Sequence, residues 1–218
     1  MASLVQDVWL GWGPRLRARR LAPWTEPAVR LLFCPDQEAT LDDPSVAAFL
    51  ESLAQRLEVI AWEARGQGGS AGRSGPEVLD DARRLVLEAP SRWGGDPTLV
   101  VGGHGRGGWM ALALADQPGV AGAFALAPSL GLAADTEPPP LPGALLAALE
   151  RPPLAIPTLV VEPRDHPESE QDRCRQWVTR EPLASRVASA SADLLAPPWD
   201  SVVRAWTESV GTERGAHP

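Results

Sequence analysis

Residues 102–108 read Gly-Gly-His-Gly-Arg-Gly-Gly, between the apolar run TLVV (98–101) and the apolar stretch WMALALA (109–115). The pattern predicts a buried strand, a sharp glycine turn and a helix from about Arg106 to Asp116, stopped by Pro118. Such a turn can serve two chemistries. As a dinucleotide-binding turn it would use Gly103, Gly105 and Gly108, which satisfy GxGxxG and would let a pyrophosphate approach the helix N-terminus. Two features oppose this. Several elements precede the turn, whereas that fingerprint sits on a first strand, and the next apolar run, GVAGAFALAP, ends without an acidic residue for a ribose hydroxyl. As a nucleophile-bearing turn it would hold one residue in a strained conformation, with helix N–H groups facing a developing oxyanion. Gly105 occupies that position, and it has no side chain.

Other residues able to do chemistry are few. The histidines are His104, His166 and His217, and the cysteines are Cys34 and Cys174. The cysteines lie far apart, without a CxxC or a His/Cys cluster, so neither a disulfide framework nor a zinc site is expected, and no cofactor is implied. Cys34 ends an apolar run and is followed by Pro35 and Asp36. Asp165 follows another such run and precedes His166 and Pro167. Asp193 lies in the loop before the last predicted helix.

The positioning elements follow from periodicity. DVWLGW, RLRARRLA and AVRLLFC read as three short strands, the first two an N-terminal hairpin. The segment DDPSVAAFLESLAQRLEV predicts a helix with Asp43 as N-cap, Pro44 in its first turn and Val46, Phe49, Leu50, Leu53 and Leu57 on one face. EVIAW is a buried strand, and GPEVLDDARRLVLEAP a second helix whose inner side is Val78, Leu79, Ala82, Leu85 and Val86. GVAGAFALA and IPTLVVE are further buried strands, DSVVRAWTESV is the last helix, and 211–218 is expected to be a tail. Residues 129–157, rich in proline, are either a short lid over a pocket or an ordinary crossover with one helix. The strands after the hairpin are apolar throughout, as in a mostly parallel, doubly wound sheet with helices on both faces.

The chain has 218 residues, 44% of them hydrophobic, enough for one domain with a sizeable core. Its net charge of −8 excludes an electrostatic footprint for nucleic acid or an anionic membrane. Lys, Asn and Tyr are absent and all 20 basic residues are Arg, a codon bias that a GC-rich genome explains. With neither a signal-peptide pattern nor 18 consecutive apolar residues, the expected compartment is the cytoplasm.

The order of motifs resembles the α/β-hydrolase superfamily. GHGRGG is similar to that family's elbow G-H-S-x-G-G, with Gly105 in the serine place. VIAWEARGQGGSAG (59–72) resembles V-I-A-x-D-x-R-G-x-G-x-S, with Glu63 in the aspartate place and Arg65, Gly66 and Gly68 matching. PTLVVEPRD resembles the strand ending at the triad acid, which puts Asp165 in the acid place. LLAPPWDSVVRAWTESV resembles the segment after the triad histidine, whose place falls near Asp193. The resemblance implies an α/β-hydrolase fold with a minimal lid or none. It also implies an oxyanion loop at Cys34-Pro35-Asp36, with Arg106 beside it in the pocket. Pro35 has no N–H, and Asp36 and Glu38 would oppose a developing negative charge. Without a serine at 105 or a histidine near 193, the expectation is a binding protein for a small apolar ligand or a protein partner. The alternative is a small esterase, thioesterase or lyase with rearranged residues drawn from Cys34, Asp36, His104, Asp165 and His166.

Overall fold

The computed structural model describes residues 4–11, 13–131 and 140–215. In chain order its elements are β1 (Leu4–Gly11), β2 (Arg15–Ala22), β3 (Val29–Cys34), α1 (Pro44–Leu53), β4 (Glu58–Trp62), α2 (Glu77–Trp93), β5 (Thr98–His104), α3 (Arg106–Ala113), β6 (Val120–Leu126), α4 (Pro140–Leu149), β7 (Thr158–Pro163), α5 (Glu168–Arg180), β8 (Ala184–Ser189) and α6 (Trp199–Gly215). The strands form one sheet in the order β1-β2-β4-β3-β5-β6-β7-β8. Strand β2 runs antiparallel to both β1 and β4, and every pairing from β4 to β8 is parallel.

Side chains alternate along the parallel strands and divide the core in two. On one face Leu32 and Val101 pack with Leu85 of α2, Trp109 of α3, Leu145 of α4 and Trp177 of α5. On the other, Leu31, Phe33 and Phe124 pack with Phe49 of α1 and Val203 of α6. Phe33 and Phe49 meet with ring centroids 5.6 Å apart, and Trp206 stands edge-on to Phe124 at 6.2 Å. The proline-rich segment contributes α4, whose Leu141, Leu145 and Leu149 are buried; residues 132–139 lie outside the described residues.

Several elements depart from the sequence pattern. Helix α5 and strand β8 carry no strong periodicity: only Glu170, Cys174 and Trp177 of α5 are buried, and β8 is a mostly exposed edge strand. Helix α2 continues through Pro90 to Trp93, and α3 ends at Ala113, with 114–116 in a turn. Helix α6 runs through Gly215, so 211–215 are helical rather than tail, while 216–218 lie outside the described residues. Asp43 holds the N-cap position of α1, but its carboxylate accepts from Thr40 N–H at 2.6 Å instead of capping the helix. Among the described residues, no helix is long and apolar enough to cross a membrane.

The junction of β5 and α3 brings backbone segments into close approach. In register, Cys34 of β3 lies opposite Gly103 of β5. A Cβ at Gly103 would sit 2.8 Å from the Cys34 carbonyl oxygen, and one at Gly107 would sit 2.7 Å from the Pro35 oxygen. Backbone cannot yield as a flexible side chain can. Gly107→Ala is therefore expected to destabilise the protein by about 1–3 kcal/mol, the usual cost of overpacking. Gly11→Ala, where nothing lies within 4 Å, should stay within about 0.5 kcal/mol of the parent. Urea denaturation of the two variants checks this, and equal midpoints would contradict it.

Candidate functional site

Strand β5 ends at His104 and α3 begins at Arg106, so one residue makes the turn. Gly105 has φ +56° and ψ −126°, a region that strains an L side chain and suits glycine. Its N–H donates to the Leu126 carbonyl at 2.9 Å, and its own carbonyl accepts from Gly108 N–H at 3.0 Å and Ser129 N–H at 3.2 Å. The elbow geometry expected from the glycine pattern is present.

Asp36 occupies the mouth of that elbow. Its Oδ1 accepts from the Arg106 N–H at 3.0 Å and from the Gln37 N–H at 2.8 Å. A Cβ built on Gly105 would lie 2.5 Å from each carboxylate oxygen of Asp36. The carboxylate thus stands where a side chain at 105 would project, and it takes an N–H of the first turn of α3. The positive end of the helix favours a negative charge there.

The loop after β4 fixes Asp36. Gln67 donates through Nε2 to the Asp36 carbonyl at 2.5 Å and to the Ala39 carbonyl, and accepts through Oε1 from Ala64 N–H at 3.0 Å. Glu63, fully buried, accepts from Leu41 N–H at 3.0 Å and Gly69 N–H at 2.7 Å. Arg65 forms an ion pair with Asp81 of α2. Sequence reasoning noticed Asp36 but missed Gln37 and Gln67. The available signal was a lone glutamine between Gly66 and Gly68, in a turn where a side-chain amide can staple two backbone segments.

Two cavities flank the elbow. A small one, about 160 Å³, is lined by Cys34, Gln37, Ser74, Arg106, Met110 and Leu141, among others. Burial, and then the charge of Asp36, push the Cys34 thiol up to about 12. The Cys34 thiol donates to the Pro35 carbonyl at 3.6 Å. The second, a cleft of about 370 Å³ beside the start of α1, is lined by Asp36, Asp43, Ser45, His104, Asp193 and Leu195, among others. Burial holds the His104 imidazole below its ordinary pKa; Asp36 and Asp193 pull it upward, and His166 pushes it further down. Its Nδ1 is buried without a hydrogen-bond partner.

The fold therefore gathers Cys34, Asp36, His104, Gly105 and Arg106 at the elbow, with Asp193 facing His104 across the cleft. Asp165 lies exposed in the turn after β7. Its charge acts on the neighbouring His166, whose pKa is lowered by burial and raised in part by Glu170 and Asp165. Among the described residues, no group of three or more His, Cys, Asp or Glu is arranged to hold a metal ion.

This strand order and elbow define an α/β-hydrolase. Residues 45–204 match the family described as serine aminopeptidase, S33, and the chain belongs to that family. None of the curated proteins matches it. Among solved structures, an esterase of Pyrococcus furiosus, Pf2001, superposes with a TM-score of 0.76 at 14% identity, covering 95% of this chain and 93% of that one. Est1E from Butyrivibrio proteoclasticus, solved with ferulic acid bound, gives 0.72 at 14% identity over 96% and 99%. The mouse α/β hydrolase domain-containing protein 10 gives 0.69 at 16% identity over 96% and 99%.

Two solution properties follow. The Cys34 thiol should resist thiol reagents in the folded protein, because at pH 8 on the order of one thiol in ten thousand is ionised. Cys174, fully buried and also pushed up to about 12, should behave alike. Dithionitrobenzoate should titrate both only after denaturation; rapid labelling of Cys34 in the native state would contradict this. His104 and His166 release protons more readily in the fold than in the unfolded chain, where the pKa is about 6.5. The unfolded chain therefore binds more protons as the pH drops below that value, and stability falls until the folded pKa values are passed. Thermal melts should show a lower Tm at pH 5.5 than at pH 7.5, with a smaller drop in His104→Gln.

Proposed function

We propose that this chain is a ligand-binding member of its hydrolase family that works without serine-hydrolase chemistry. The observation that carries the reading is the Asp36 carboxylate, which fills the side-chain space at residue 105 and accepts the Arg106 N–H. Acyl transfer needs a nucleophile at the elbow and free donors aimed at a developing oxyanion. At residue 105 there is no hydroxyl, and the donor is bonded to a full negative charge. An acyl intermediate would have to displace that charge before gaining any stabilisation, and one lost oxyanion donor alone costs about 3–4 kcal/mol. The cavities on either side of the elbow remain, and they suit a small ligand.

One observation favours a second reading, a hydrolase with relocated residues: Ser45, His104 and Asp193 line the same cleft. A serine, an imidazole and a carboxylate are the parts of a triad. Against this reading, His104 makes no hydrogen bond to Ser45 among the described residues.

The test is turnover and labelling. The purified protein should hydrolyse p-nitrophenyl butyrate at the buffer rate and leave a fluorophosphonate probe unreacted. Gly105→Ser should do the same, since the new Cβ collides with the Asp36 carboxylate and restoring one member of a catalytic set recovers little without the others. Turnover by Gly105→Ser at about 10 s⁻¹, an ordinary enzymatic rate, would overturn the reading. Probe mapped to Ser45 in the parent protein would transfer the assignment to the relocated triad.

A further inference from the structure

The backbone N–H of Arg106 is committed to Asp36, but its guanidinium is not. The side chain is half-buried, and its one hydrogen bond among the described residues runs from Nη2 to the Leu130 carbonyl at 3.3 Å. Its Nε is buried with no partner. Other arginines with little exposure carry a carboxylate: Arg30 pairs with Glu58 at 2.7 Å and Arg151 with Glu181 at 2.9 Å. Among the described residues, Arg106 has no ion pair of this kind. Asp36 and Glu38 lie near enough to raise its pKa against the lowering effect of burial, yet neither forms a contact pair with the guanidinium.

A half-buried guanidinium whose Nε is unpartnered and which touches no carboxylate among the described residues has donors left over, and a bound anion would take them up. The planar fork fits a carboxylate bidentately better than any other common anion except phosphate. The rest of the cavity argues for the carboxylate. Met110, Leu141 and Cys34 give it an apolar wall, suited to a short hydrocarbon chain and poorly suited to a fully hydrated phosphate. Its volume of about 160 Å³ admits only a small molecule. We propose that this cavity binds a short-chain carboxylic acid as its anion, with the carboxylate on the Arg106 guanidinium and the chain against Met110 and Leu141. The inference rests on the reading of the protein as a non-catalytic ligand binder, and it names the chemical class of the ligand.

The experiment is an NMR titration of the full chain with butanoate and, separately, with the neutral isostere butanamide. Butanoate should bind saturably and move the amide signals of Arg106, Met110 and Leu141, while butanamide binds at least tenfold more weakly. Arg106→Gln should weaken butanoate at least tenfold and leave butanamide within about twofold, with an unchanged Tm showing that the variant folds. The comparison of the two ligands on the parent protein needs no variant, so misfolding of Arg106→Gln leaves the test intact. Equal affinity for butanoate and butanamide, or no saturable binding of butanoate, would overturn the inference. Inorganic phosphate binding more tightly than butanoate would overturn it too. In each case the non-catalytic reading stands or falls separately, on ester turnover by the same preparation.

Discussion

The close approach of three backbone segments at Cys34, Gly103 and Gly107 sets the geometry of everything above the sheet. Only glycine at 103 and 107 lets the first turn of α3 descend onto the end of β3, and only then does the loop beginning at Pro35 reach the elbow. Asp36 is delivered to the Arg106 N–H by that contact. The strain at Gly105, with φ +56°, follows from the same demand, because the chain must leave β5 and enter α3 within a single residue. Shape at this point is inherited from the fold, and the side chains placed on it decide the chemistry.

The N-terminal hairpin and the loop after β4 hold the Asp36 segment from behind. Arg19 of β2 donates to the Leu41 carbonyl at 2.6 Å and to Asp42 at 2.9 Å, and Arg17 contacts both Asp42 and the buried Glu63. Asp42 is more than half exposed, so its ion pairs contribute modestly. The buried bonds of Glu63 and Gln67 matter more, since breaking them would leave unpaired polar groups in the interior. The negative charge at the elbow is thus built in by a buried polar network rather than resting on one flexible side chain.

Much of this was legible in the sequence, and for identifiable reasons. The central strands are continuous apolar runs, and α1 and α2 carry clean inner faces, so type and order could be read directly. The glycine spacing at 102–108 gave the elbow, and Asp36 was visible as a charge in the loop after β3. Helix α5 was not legible because its inward stripe is narrow and includes Glu170, which is buried through its bonds to Leu130 N–H and Arg173. Strand β8 was not legible because an exposed edge strand needs no apolar run. The capture of the Arg106 N–H by Asp36 joins residues seventy positions apart, and no local pattern encodes such a contact. That no carboxylate among the described residues touches the Arg106 guanidinium is likewise a property of the folded chain that no local pattern shows.

The most direct measurement is amide hydrogen exchange at Arg106. An N–H in the first turn of a helix has no partner within that helix, and ordinarily exchanges as fast as its exposure to water allows. Here the carboxylate of Asp36 should protect it, and Asp36→Ala should speed its exchange at least tenfold while amides deep in β5 and β6 keep their rates. Equal exchange at Arg106 in the two proteins would mean that the carboxylate does not hold the elbow N–H, and the account of an elbow capped by Asp36 would be wrong.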